Sequence, residues 1–478
     1  MSIQEDLKNC KNIFDVAAVL YSDCENGAGD RRFTRVSAIL EDSTLLDGKI
    51  RDFRRRMISA LQPIIESAGT DGLLSSSEHL NGKAISWYFS DLVRLIGRTK
   101  DANHLASWSV LKVIDHCIAP RVPDLVRMNR DSHTPPLNAN HNQNVPKVYV
   151  KLPTPLFVPV EWIPENPEDD AYVNLENLAF TFSPMTQIAI YTDGILWDLL
   201  RKAPLVLAVL VPEVKESFFK LQSPPPQSNA SRVFWVSPEE PQQYRDEVLD
   251  LILRADAAGA SIALLPELCS SKLLEDQLHE RLSREPLRNI RLVAMGSYHE
   301  GQPDARMTNV CSVLDRTGAL LWQQTKRSPY RIKMLPLIGP KELRKLSGYR
   351  EWIKEDGSQV MALTPIGAVA VQICLDFLKE EDRSQLCRLG CRWFLIPAFT
   401  GKLNGKFRRH IQNCGDLSQA VGAIANNRCW CAWGLSSQSH DDYLFYKPDK
   451  REPFPPGEEL HRGLRLLRLE RKNTENFV

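Results

Sequence analysis

Apolar residues recur at helical spacing through the first quarter of the chain. One run is Ile13, Phe14, Val16, Ala17, Val19 and Leu20; a second is Ile50, Phe53, Met57, Leu61, Ile64 and Ile65. A third is Ile85, Trp87, Leu92, Leu95 and Ile96, and a fourth is Leu105, Trp108, Val110, Leu111, Val113 and Ile114. Steps of three and four predict amphipathic helices. From about residue 170 the pattern changes. Short apolar runs of strand length appear at 205–211, 233–236, 261–265, 290–295, 310–314, 320–323, 360–363, 368–373 and 393–397. Amphipathic stretches at 244–258 and 273–282 separate some of them and are expected to be helices. Alternation of strand and helix at these lengths predicts an α/β layered domain.

Between the two zones lie prolines at 120, 123, 135, 136, 146, 153, 155, 159, 164 and 167. Proline fixes φ and lacks a backbone donor, so this density excludes long helices and central strands. A linker or an extended arm is expected, with one short strand at 147–152. The expected organisation is a helical domain over 1–118, a proline-rich connector and lead-in over 119–199, and an α/β domain over 200–478. No internal repeat is visible.

Composition narrows the picture. The 478 residues are 43% hydrophobic and 25% charged, ordinary values for a globular protein. A net charge of +1 makes no bulk electrostatic case for nucleic acid or an anionic membrane. The basic stretch Arg51, Arg54, Arg55 and Arg56 is expected to be a solvated helix face. The N-terminus lacks the basic-then-apolar layout of a signal peptide, and the run at 205–211 is too short to span a bilayer. Eleven cysteines without a secretory signal point to reduced thiols and a cytoplasmic location. The pairs Cys387/Cys391 and Cys429/Cys431 lack a matching histidine set, so zinc, or any other cofactor, is not expected.

Three residues stand where strands are expected to end. Glu267 follows Leu264-Leu265-Pro266; burying its charge is costly without partners. Lys326 closes the segment that starts at the turn glycine Gly318, with Lys333 as a nearby competitor. Cys374 ends the run Ala368-Val-Ala-Val-Gln-Ile and is followed by Leu375-Asp376. Each is unremarkable singly. In this order they resemble the nitrilase superfamily, the carbon–nitrogen hydrolases with a Glu-Lys-Cys triad. The resemblance covers roughly 200–470 and is carried also by Gly296-Ser-Tyr, Thr308-Asn309-Val310, the segment 389–398 and Ala425-Asn-Asn. The intervals from Glu267 to Lys326 and on to Cys374 suit the family. Two features depart from it. Leu375-Asp376-Phe377-Leu378-Lys379 replaces the usual aromatic and Asp-Arg-Phe-Pro, and the late hairpin is poorly matched near 439–457.

The resemblance implies a four-layer α-β-β-α sandwich that commonly pairs with a second copy across its outer helices, giving a homo-oligomer. It implies hydrolysis of a non-peptide carbon–nitrogen bond, an amide rather than a nitrile, through a cysteine thioester. Cys374 would be the nucleophile and Glu267 the general base and acid. Lys326 and the backbone N–H of Leu375 would stabilise the oxyanion. Glu342 would orient Lys326 or substrate, Asn309 would support the site, and Phe399 and Thr400 would line the pocket. Asp376 is expected to hold the turn by hydrogen bonds. Two alternatives stay open. One is an acyl transferase on the same triad. The other is a scaffold or regulatory module, in a bacterial stress or defence setting, whose helical domain recruits a protein partner.

Overall fold

The structure is a computed structural model. It describes residues 3–26, 44–75, 80–97, 102–121, 146–150, 178–181, 188–192, 205–222, 233–301, 306–331, 348–355, 357–364, 367–400, 405–418, 420–427, 442–447 and 452–469, with a few single residues between. The described elements fall into two compact units, one up to Thr181 and one from Ile188 onward.

The first unit is a helix bundle with a small hairpin. Its helices are Ile3–Lys8, Ile13–Asn26, Thr44–Leu74, Gly82–Ile96 and Ala102–Cys117. The apolar stripe dictates which face of each is hidden. Ile50, Phe53, Met57, Leu61 and Ile65 are buried, while Arg51, Arg55 and Arg56 beside them are exposed. The basic stretch is thus largely a solvated face, except that half-buried Arg54 donates to Ser109 Oγ at 3.2 Å. Helix Ala102–Cys117 is apolar almost all round and packs against three of the others, as a central helix must. Asn12 and Asn81 cap their helices by accepting two backbone N–H groups each. Strands β1 (Lys147–Val150) and β2 (Leu178–Thr181) pair antiparallel, and the Leu178 N–H donates to Asp115.

The second unit is a layered α-β-β-α sandwich, the fold class the motifs lead one to expect. Its strands are β3 (Ile188–Thr192), β4 (Leu205–Leu210), β5 (Phe219–Gln222), β6 (Val233–Pro238), β7 (Ile262–Leu264), β8 (Leu292–Ala294), β9 (Tyr298–Glu300) and β10 (Thr308–Leu314). They continue with β11 (Leu320–Thr325), β12 (Arg350–Glu351), β13 (Gln359–Thr364), β14 (Gly367–Val371), β15 (Cys391–Ala398), β16 (Val421–Asn426), β17 (Tyr443–Tyr446), β18 (Glu458–His461) and β19 (Leu464–Leu469). One sheet runs β11-β10-β8-β7-β4-β19-β18, with β9 also on β10; the other runs β17-β16-β15-β14-β13-β3. A small third sheet, β12-β6-β5, pairs with neither but packs through β6 beside β9.

Every residue of β4 is buried because both of its faces are covered. Val206, Ala208 and Leu210 pack with Val248, Leu251 and Ile252 of helix Gln242–Ala257 and with Leu274 and Leu278 of helix Lys272–Arg284. Alternation turns Leu207 and Val209 to the opposite side, where β4 and β7 meet β15 and β16 of the second sheet. Helix Lys406–Ser418 packs against β16 and β17 and forms the fourth layer. Among the described residues no helix is long and apolar enough to cross a membrane.

Candidate active site

The chain leaves β7 and turns sharply at Glu267. Pro266 O lies where a Cβ on Gly296 would sit, 2.1 Å away, so only glycine lets these loops approach. The next residue, Leu268, has φ of 52°, a left-handed conformation costly for a side chain with a Cβ. Asn427, just beyond β16, holds this turn by donating to Glu267 O and Leu268 O at 3.0 Å each.

Lys326 is placed by hairpin register. Gly318 makes the turn of β10–β11 with φ of 76°, and Asp315 accepts from Thr317 N and Ala319 N. Pairing then sets Val310 opposite Thr325, and the Lys326 N–H donates to Asn309 O at 2.7 Å. Asn309 and Lys326 therefore reach the same end of the sheet.

Cys374 lies past the end of β14. Its N–H donates to Pro397 O at 2.8 Å, which extends the β14–β15 pairing to the nucleophile position. Its φ is 48°; with Leu268 it is one of two non-glycine residues of positive φ among the described residues. Both flank the same polar cluster, and strain of this kind gathers at functional sites. Helix Leu375–Leu378 starts immediately after it, with the Leu375 backbone at its first position.

These turns bring Glu267, Lys326 and Cys374 together. Lys326 Nζ donates to Glu267 Oε1 and to Glu351 Oε2, both at 2.7 Å. The Cys374 thiol lies close enough to Glu267 and Lys326 for the charge of each to act on it. Asn309 Nδ2 donates to Glu267 Oε1 at 3.2 Å and to Glu351 Oε1 at 2.8 Å. Glu267 and Lys326 are each only 2% exposed.

Electrostatics follow from this packing. Burial alone would lower the Lys326 pKa, but Glu267 and Glu351 outweigh it and hold the ammonium above its ordinary value. Burial would raise Glu351; Lys326 and the His299 hydrogen bond instead keep it well below the carboxylate range. Burial and then Glu267 push the Cys374 thiol up, and Lys326 and the Phe399 backbone oppose them without prevailing. Cys374 therefore rests as a protonated thiol beside Glu267.

The other expected residues are placed as follows. Phe399 O accepts from the Cys374 thiol at 3.9 Å, so Phe399 borders the nucleophile. Thr400 is tied to Asn426 by two bonds of 2.9 Å. Asp376 accepts from Arg327 N at 2.9 Å and Ser328 N at 2.7 Å, joining the cysteine's helix to the lysine's loop. Burial pushes its carboxyl up to about 6, against the pull of those donors. Glu342, Lys333, Cys429 and Cys431 lie outside the described residues, as do 439–441 and 448–451. The carboxylate that holds Lys326 on its second side is Glu351, on β12, which the sequence reading passed over. Nothing in Tyr349-Arg350-Glu351-Trp352 marks it, because strand pairing between β12 and β6 delivers it. His299 was also passed over. A polar residue between Tyr298 and a strand end was its one available signal; it is buried and its Nε2 lies 2.9 Å from Glu351 Oε1.

A cavity of about 460 Å³ adjoins the residues next to the lysine and the nucleophile; Arg327, Ser328, Leu375, Arg350 and Lys379 are among its walls. Glu355, Glu380, Glu381 and Asp382 complete the charged lining.

No family model and no curated protein matches the sequence. Among solved structures the chain is similar to an amidase from Nesterenkonia sp., with 14% identity and a TM-score of 0.38, covering 56% of this chain and 91% of that one. A mutant of that amidase, with the acetamide moiety of fluoroacetamide added covalently at its active-site cysteine, aligns with 14% identity and a TM-score of 0.34 over 48% and 77% of the two chains. A further mutant, described as an amidase from the nitrilase superfamily, aligns with 14% identity and a TM-score of 0.34 over 48% and 79%.

Proposed function

We propose that the second unit is a nitrilase-superfamily amidase that cleaves a non-peptide amide through a thioester on Cys374. One observation carries the reading. A buried lysine lies between two carboxylates, and one of these, Glu267, is the carboxylate whose charge acts on the Cys374 thiol.

The thiol needs a base, because burial keeps it protonated. As Cys374 Sγ attacks the amide carbon, Glu267 takes the thiol proton. The carbonyl π electrons move to oxygen, and Lys326 with the Leu375 N–H donates to the oxyanion. Glu267 then delivers the proton to the departing nitrogen as the C–N bond breaks, leaving an acyl thioester. Water enters, Glu267 removes its proton, and hydroxide adds to the thioester. Collapse releases the carboxylic acid, and the proton returns to sulfur. Glu267 is the shuttle at each step. Lys326 keeps its charge throughout, which its two carboxylates favour.

The charged cavity supplies the substrate preference. Its walls carry Arg327, Arg350 and Lys379 facing Glu355, Glu380, Glu381 and Asp382. Arg327 pairs with Asp382 at 3.3 Å and Arg350 with Glu355 at 2.8 Å, and such a charged lining suits a polar amide better than an aliphatic one, which would strip water from it.

The test is mass spectrometry of the intact protein after incubation with a panel of small amides, alongside ammonia release. The wild type is expected to release ammonia and to carry a transient acyl adduct on the peptide holding Cys374, and Glu267→Gln to lose both, because neither the thiol nor the leaving nitrogen then has its proton carrier. No ammonia from any amide, together with a Cys374 that resists iodoacetamide in the native protein, sinks the reading.

A further inference from the structure

Two carboxylates separated by one ammonium in a buried site pose a question of proton routing. When a proton leaves the thiol, one carboxylate must receive it, and like charges so close cannot be equivalent bases. Hydrogen-bond accounting distinguishes them. Glu351 Oε1 accepts from His299 Nε2 at 2.9 Å and Asn309 Nδ2 at 2.8 Å. Its Oε2 accepts from Lys326 Nζ at 2.7 Å and the Tyr330 N–H at 2.8 Å. Four donors occupy this carboxylate. Glu267 takes two side-chain donors, Lys326 and Asn309, both on Oε1, and it is the carboxylate whose charge acts on the Cys374 thiol.

His299 can serve Glu351 only as one tautomer. Its Nδ1 accepts from the Val236 N–H at 3.0 Å, so the ring proton sits on Nε2 and points to Glu351. Val236 belongs to β6 and Glu351 to β12, which are paired strands of the small third sheet. That sheet thus carries the counter-ion and also fixes the histidine that donates to it. The titratable groups in this chain are His299, Glu351, Lys326, Glu267 and the Cys374 thiol, in that order from the small sheet to the nucleophile.

Resting on the amidase reading, we propose that His299 is a positioning residue that selects the base. As a fixed neutral Nε2–H donor it completes the four-donor shell of Glu351, keeps that carboxylate from taking a proton, and so directs the thiol proton to Glu267.

Four measurements on the full chain test this. Selective ¹⁵N labelling of histidine reads the tautomer, and His299 is expected to carry its ring proton on Nε2 with Nδ1 as acceptor. His299→Leu removes the donor at similar volume; kcat on the best amide is expected to fall by roughly 10- to 100-fold with KM within about twofold. His299→Gln places an amide N–H near the Nε2 position and is expected to recover most of that loss, although neither variant offers Val236 its acceptor. Thermal unfolding of both variants checks that they fold. Iodoacetamide labelling of Cys374 repeats the comparison without any substrate, so the inference remains testable even if the amidase reading fails. It predicts slower labelling in Leu and recovery in Gln. An Nδ1–H or doubly protonated ring, or Leu and Gln variants that lose kcat and labelling equally, overturns the proposal.

Discussion

Asp115 in the helical unit and Glu267 in the sandwich unit are equally hidden, at 2% exposed each, yet they meet different surroundings. Asp115 accepts from the Leu178 N–H at 2.7 Å and so ties a strand to the central helix. Glu267 meets a lysine, an asparagine and a thiol, on a turn whose next residue is strained. A buried carboxylate is costly in either place, and burial alone does not mark a function. What separates them is chemistry: one is held by a backbone donor, and the other shares a reactive group with a cation.

Glu267→Gln is the largest test of that contrast. Amide hydrolysis is expected to fall by roughly 10²–10⁴-fold, the range for a lost general base, with the fold retained. Asp115→Asn is expected to leave kcat within about twofold. Equal losses from the two substitutions would remove the distinction.

Lys326→Met comes next. It leaves two buried carboxylates facing each other, and the sandwich unit is expected to lose roughly 3–5 kcal/mol in denaturant unfolding. If stability is unchanged, Lys326 is not the counter-ion the geometry makes it.

Glu351→Gln sharpens the comparison through pH. The folded carboxyl lies below its unfolded value, so its stabilisation is complete above the ordinary glutamate range near 4.3 and disappears as pH falls through the folded value. Wild type is expected to exceed the Gln variant by roughly 1–3 kcal/mol at neutral pH, with the gap closing on acidification. A gap that widens in acid contradicts the sign.

The smallest effect belongs to the helical unit. Asn81→Ala removes a cap that accepts from Lys83 and Ala84 and is expected to cost about 1 kcal/mol, with Cys374 labelling unchanged. A change in labelling would mean that the cap influences the nucleophile.

Legibility in the sequence followed the range of the interactions. Helices such as Ile13–Asn26 and Gly82–Ile96 stand out because their apolar stripes repeat within a few residues. Strands β4, β7, β10 and β15 stand out because they are apolar runs covered on both faces. Strands β5, β9 and β12 are short or polar, and only their pairing defines them. Helix Lys406–Ser418 escaped notice because its apolar positions are few and widely set among charged residues. In the site, Glu267, Lys326 and Cys374 were readable as polar residues at strand exits. Glu342 was the expected second carboxylate and lies outside the described residues, whereas Glu351 is the one beside Lys326.

By itself the sequence determined the two periodicities, the layered class of the second unit and the order glutamate, lysine, cysteine. These depend on neighbours a few residues apart and on residue chemistry. Tertiary structure decided which carboxylate faces the thiol, which is saturated, and that His299 stands behind it. Those outcomes turn on hydrogen bonds of about 3 Å between strands distant in sequence, such as His299 with Glu351 and Val236 with His299. Local pattern carries no record of them, because strand register is set only when the sheets assemble.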